Sequence, residues 1–232
     1  MKVEIWSDIV CPWCYIGKRR FEAALAQFPR RDQVEVTWRS FELDPQAPAR
    51  ITGSLTELLA RKYRMPVAQA AASQAQITDL AAEEGLDYHL DRAQSGNTFL
   101  AHQLLHLAAA HGLQDQMKER LMRAYFTESL PVGDLETLIG LAQGVGLDAD
   151  EVRTALETGI YAEAVRKDER LAAALGIRGV PFVVLDEEYG VSGAQPAAVF
   201  LQALETAWAA GHAPVPVGAD AAPACEGDTC AI

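Results

Sequence analysis

The chain has 232 residues, half of them apolar, and a formal net charge of −12. That length accommodates one large domain, or one domain carrying an insertion, with a substantial core. The acidity and the lack of any sizeable Lys/Arg cluster argue against nucleic acid and membrane as partners, and serve solubility.

In chain order, Val3-Glu4-Ile5-Trp6 reads as an opening strand, and Met1-Lys2-Val3-Glu4 enters it directly. No room for a signal peptide and no uncharged 18-residue apolar run is seen, so the expected location is cytoplasmic. Four cysteines in that setting point to catalysis, redox sensing or metal rather than a structural framework. A C-x-x-C, Cys11-Pro12-Trp13-Cys14, follows the strand and opens a helix over 12–28, with Ile16, Phe21, Ala24, Leu25 and Phe28 at helical spacing. A helix start offers unpaired N–H groups and a positive dipole end to an anion. The expectation is a Cys11 thiol pKa lowered from about 8.5 into a range of roughly 3.5–7.5, making it the attacking thiolate. Cys14, with two residues between, lies within disulfide reach and can resolve a mixed disulfide from inside. Pro12 costs nothing at the first helical turn. Half a zinc site or two buried thiols are the plainer readings, and a zinc site needs two more ligands at matching spacing.

A second strand is expected over 34–41, carrying Val34, Val36, Trp38 and Phe41. From Ser54 to about Leu175 the chain turns Ala-rich and helical, with helices near 54–63, 66–84, 97–111, 113–127, 134–145, 148–157 and 160–175. Ser54 with Glu57 forms a capping box, Asp148 with Glu151 its acidic counterpart, and Asp134 and Asn97 read as N-caps. Gly85, Gly112, Gly146 and Gly176 fall where helices should stop. Strand character returns at 182–185 and 189–192, and a last helix runs from Pro196 to Ala210. In Gly179-Val180-Pro181-Phe182 a proline stands at the mouth of an apolar strand, where it must turn the chain. Alone it favours an ordinary trans turn; paired with the upstream C-x-x-C, a cis Val180–Pro181 bond is expected.

These motifs, with Asp8-Ile9-Val10 before Cys11, Tyr15 after Cys14, Asn97-Thr98, Ala101-His102, Gly176-Ile177-Arg178 and Tyr189-Gly190-Val191-Ser192-Gly193-Ala194-Gln195, resemble the DsbA-type branch of the thioredoxin superfamily. The FrnE-like oxidoreductases are nearest, and the resemblance spans about residues 1–210. The chain also resembles the branch of kappa-type glutathione transferases and 2-hydroxychromene-2-carboxylate isomerases, which carry serine where Cys11 stands. The resemblance implies an α/β fold: a discontinuous thioredoxin-like domain (1–50 and 176–210) split by an inserted all-helical domain (51–175), then a flexible tail (211–232) with a second cysteine pair. It implies a redox-active Cys11/Cys14 pair beside a cis Pro181, and brings His102 toward the site; as a lone residue His102 reads as a core or surface histidine. Two departures stand out. Ile5 occupies the place of a buried carboxylate, with Asp8 either its substitute or a partner for turn N–H groups, and no histidine lies between the cysteines. Without that cation the disulfide should be less oxidising than that of DsbA.

The expected function is a thiol–disulfide oxidoreductase, reducing or isomerising protein disulfides. Trp13, Val180 and Pro181 are the substrate-binding candidates; Tyr63, Met65 and Phe182 could extend an apolar landing surface. No cofactor or metal is expected. Disulfide-containing or unfolded proteins are the expected substrates, and glutathione or another cellular thiol the co-substrate. The alternatives are a glutathione-dependent isomerase or transferase of the kappa type, and a redox-sensing or zinc-binding interaction protein using all four cysteines. The stretch 211–224 reads as a linker bringing Cys225 and Cys230 toward Cys11 and Cys14, as a second redox pair. Idle thiols, a docked structural disulfide and a metal clip compete with that reading.

Overall fold

Four short strands build the sheet in the computed structural model, which describes residues 1–211. The strands are β1 (Lys2–Ser7), β2 (Glu35–Ser40), β3 (Phe182–Leu185) and β4 (Tyr189–Ser192), in spatial order β2-β1-β3-β4. β1 runs parallel to β2 and antiparallel to β3, which pairs antiparallel with β4. Parallel neighbours need a crossover, supplied by α1 (Pro12–Gln27). Antiparallel β3 and β4 need only a turn, where Asp186 and Glu187 take positive φ.

Side chains alternate across the sheet, so each strand feeds two layers. Val3, Ile5, Val183 and Leu185 pack with Phe21 and Ala24 of α1, with Phe28 that caps its end, and with Phe200, Leu204 and Ala207 of α9 (Ala197–Gly211). Trp6 and Val184 face the other way, toward Ala172 and Ile177. Burying a side chain of this size contributes about 1.5–3 kcal/mol.

Between β2 and β3 come α2 (Leu55–Lys62), α3 (Val67–Glu83), α4 (Phe99–Ala110), α5 (Gln114–Phe126), α6 (Leu135–Gln143), α7 (Ala149–Thr158) and α8 (Ala162–Ala174). The fold is therefore the expected α/β core with a large helical insertion. Helix starts follow local chemistry: the Ser54–Glu57 capping box is formed, Asp134 accepts from Thr137 N–H, and Asp148 accepts from Asp150 and Glu151 N–H. Asn97 is not itself the N-cap. Thr98 takes that position, while the Asn97 side chain accepts from Phe99 N–H at 2.9 Å.

The helical layer is fastened to the strand end that precedes α1. Ile9, Cys11, Cys14, Tyr15 and Ile16 share one core with Tyr88, Leu104, Leu121, Tyr125 and Phe126. Tyr88 belongs to the irregular run 86–93, in which buried Leu86, Tyr88 and Leu90 alternate with Asp87 and His89 although the segment forms no strand. The Tyr88 ring stacks on Phe126 at 4.5 Å, and its hydroxyl donates to the Pro12 carbonyl at 2.8 Å. The start of α1 is thus held by the insertion. No helix among the described residues is long and apolar enough to cross a membrane. Cys225 and Cys230 lie outside the described residues.

Candidate active site

The site begins where β1 ends. Asp8, fully buried, turns the chain by accepting from its own neighbour Ile9 N–H at 2.7 Å and from Leu43 N–H at 2.8 Å. This brings Cys11 to the N-cap of α1 in extended conformation, with Pro12 next and no side-chain cap. Cys14 follows one turn in, its N–H donating to the Cys11 carbonyl at 3.0 Å. Both are free thiols, 4% and 1% exposed, and Trp13 between them points outward at 39%.

Opposite lies the cis Val180–Pro181 bond. The Cys11 thiol donates to the Val180 carbonyl at 3.6 Å. Gly17, inside α1, explains the close approach. A Cβ built there would stand 2.9 Å from Pro181 Cγ and 3.5 Å from Ala194 Cβ. Helix interiors disfavour glycine, but here any side chain would push the proline away.

The electrostatics correct one expectation. The hydrogen bond to Cys14, with burial, pushes the Cys11 thiol up rather than down. Burial also acts against charge on Cys14, yet the hydrogen bond from Cys11, the Lys118 charge and the Ser7 hydroxyl outweigh it and hold that thiol down. In the free dithiol the anion therefore leans onto Cys14. The helix start cannot prevail at Cys11, because the sulfur is buried and its proton is engaged.

The cation comes from a residue the sequence reading passed over. Lys118 on α5 is completely buried, and its Nζ donates to the Ser7 carbonyl at 3.4 Å. The missing dipeptide histidine therefore does not leave the pair without a positive charge. A signal did exist: Lys118 stands in register with buried Met117, Leu121 and Met122, where helical spacing calls for an apolar residue. Ser7 and Tyr88 were passed over too, and their types carry no comparable signal.

Asp8 and His102 are brought together. His102 Nε2 lies 3.3 Å from Asp8 Oδ1, and the ring is fully buried. Burial holds His102 below the ordinary histidine value despite Asp8; Asp8 itself is held low by His102, Leu43 N–H and Lys118 against its own burial. Tyr63 and Met65 sit just beyond α2, where Met65 lines a surface cavity of about 480 Å³.

A buried dithiol at a strand-to-helix junction, faced by a proline turn and flanked by a helical insertion, defines a thioredoxin-like redox protein. The chain belongs to the DSBA-like thioredoxin domain family, whose model matches residues 2–205. It is, in general terms, an oxidoreductase of the thiol–disulfide class. It is 50% identical to a probable DsbA oxidoreductase from Streptomyces coelicolor of known crystal structure, with a TM-score of 0.87 and coverage of 100% of this chain and 99% of that one. Protein YwbO of Bacillus subtilis, uncharacterized, is 28% identical over 204 residues, covering 87% of this chain and 94% of the relative. The fold is shared by the cytosolic disulfide reductase DsbM of Pseudomonas aeruginosa, solved with GSH, at 19% identity and a TM-score of 0.61, over 89% of this chain and 98% of that one.

Proposed function

We propose that this protein reduces or isomerises disulfides in other proteins through Cys11 and Cys14. The observation that carries the reading is the placement of Cys11 at the N-cap of α1, with its sulfur against the Val180 carbonyl. The two thiols share one proton once the pair is singly ionised, and the form with Cys11 as thiolate is the attacking one. Cys11 displaces one sulfur of a substrate disulfide, which leaves as a thiolate and takes up a proton. A Cys11–substrate disulfide results. The Val180 carbonyl has then lost its donor and can accept from an N–H of an extended substrate segment, as in strand addition. Trp13 and Pro181 give that segment an apolar contact.

In the second step the Cys14 thiolate attacks the Cys11 sulfur. The Cys14–Cys11 bond forms, the Cys11–substrate bond breaks, and the substrate sulfur leaves with the electron pair. A cellular thiol, glutathione or another, returns the oxidised pair to the dithiol by two successive exchanges. Isomerisation uses the first step and its reversal without net oxidation. A cytoplasmic setting, where thiols keep such pairs reduced, belongs to the same proposal.

The test is trapping. Cys14→Ser should accumulate stable mixed disulfides through Cys11 with a scrambled disulfide protein, and Cys11→Ser should trap nothing. Mixed disulfides mapped chiefly to Cys14 would reverse the assigned roles, and none in either variant would remove the function.

A further inference from the structure

Lys118 is a buried cation without a proper counter-ion. Its ammonium carries three donors, and among the described residues it makes a single hydrogen bond, to the Ser7 carbonyl, long at 3.4 Å. Among the described residues no carboxylate lies within ion-pair distance of it. The contrast with Lys18 is instructive. Both ammonium groups lie over the Trp38 ring, at 5.5 Å for Lys118 and 5.9 Å for Lys18. Lys18, however, pairs with Glu22, Asp115 and Glu119, so its charge is answered locally. A buried, unanswered ammonium is costly and needs an anion to repay it.

The charged groups facing Lys118 are Cys14, Asp8 and Cys11, with Lys18 opposing. Asp8 already serves two backbone N–H groups and His102. Ser7 links the remaining pair. Its carbonyl accepts from Lys118, while its hydroxyl is buried without a hydrogen-bond partner among the described residues and lies close enough to Cys14 to favour charge there.

We propose that Lys118 is the positioning residue for the resolving step, holding Cys14 as a thiolate from across Ser7. This rests on Cys14 being the resolving thiol. In the free dithiol Cys14 has a proton donor in Cys11. In the mixed disulfide Cys11 is bonded to substrate sulfur and has no proton to give. The supports that remain are Lys118, the Ser7 hydroxyl and the backbone at Asp8, and Lys118 is the one bearing charge. Cys14 is then still ionised when it must form the bond to Cys11 and release the substrate thiolate.

The state without a Cys11 proton can be prepared directly in the full chain. Cys11→Ala with Cys225→Ser and Cys230→Ser leaves Cys14 as the sole thiol, so its ionisation can be followed by thiolate absorbance against pH. With Lys118 intact, Cys14 should titrate below the free-thiol value of about 8.5. Adding Lys118→Met should raise the midpoint by about one unit or more, a tenfold loss of thiolate at a pH below it. Titration above about 8.5 with Lys118 intact overturns the proposal whether or not the Met variant folds, and so does an unmoved midpoint in a folded Met variant. This readout involves no substrate. A protein that traps no mixed disulfide yet shows the shift loses its proposed function and keeps the Lys118 assignment; the converse pattern does the opposite.

Discussion

Gly17 and Pro181 show how tightly single residues set this site. Gly17→Ala should gain about 1 kcal/mol of helix propensity. The added methyl would meet Pro181 Cγ at 2.9 Å, with Ala194 behind it, and overpacking of this kind costs about 1–3 kcal/mol. We expect a folded protein with lower thermal stability and slower disulfide exchange, because the Val180 carbonyl moves off Cys11. Unchanged exchange with a raised melting temperature would show that the loop gives way freely. Cys11, Cys14 and Pro181 stand in short local patterns that single them out in the sequence, whereas Asp8 stood out only through the resemblance, as either a substitute carboxylate or a partner for turn N–H groups, and it does accept from Ile9 and Leu43 N–H. The direction of the Cys11 pKa was not legible there, since it depends on the hydrogen bond to Cys14 and on burial, and burial comes from helices far along the chain that meet Cys11 only through the fold.

At the scale of the element, α5 brings a charge into a core, and that leaves a signature in stability. Burial lowers the Lys118 pKa from the ordinary 10.5 to about 8, with Cys14 and Asp8 pulling the other way. Between those values the unfolded chain binds more protons than the folded one, so stability rises with pH through that window. Below pH 8 the cost of the buried ammonium is felt in full, on the order of 3 kcal/mol. Lys118→Met should therefore be at least as stable as the parent at pH 7 and should lack this rise between about pH 8 and 10.5. Denaturant melts of both proteins across that range check it, and equal slopes would refute it. The helices of the insertion were readable from caps and stop glycines. The run 86–93, which brings Tyr88 to Pro12, was not, because its alternating Leu86, Tyr88 and Leu90 have the spacing of a strand and the segment pairs with none of the described strands.

At the scale of the whole molecule, the insertion and the sheet are joined by Asp168 of α8. Its carboxylate, 2% exposed, accepts from Ser40 N–H and Arg39 of β2 and lies 3.2 Å from His106 Nε2 of α4. Its backbone carbonyl accepts from the Trp6 indole at 3.0 Å. Asp168→Ala leaves the Ser40 N–H without its acceptor and takes one of the two carboxylates from Arg39, which keeps Glu4, and should cost about 1–3 kcal/mol. Loss of less than 1 kcal/mol in a chemical melt would mean that the apolar contacts alone join the layers. Element order and fold class followed from periodicity and from the family resemblance. The joint did not: Asp168 stands in helical register with buried Val165 and Ala172, the same kind of signal as at Lys118, but its partners Arg39, Ser40 and His106 come from distant parts of the chain.

The central claim is that Cys11 and Cys14 are a working redox pair of reducing character. A leaving thiol held up by its hydrogen bond to Cys14 and by burial leaves poorly, so the disulfide should be a weaker oxidant than one whose outer cysteine ionises at low pH. The direct measurement is equilibration of the full chain across glutathione redox buffers, with the disulfide located by peptide mapping. The account predicts a reversible Cys11–Cys14 disulfide with a potential clearly more negative than about −120 mV, the value for a strong oxidant of this superfamily. Absence of that disulfide at every buffer ratio, or a potential near −120 mV, would contradict it.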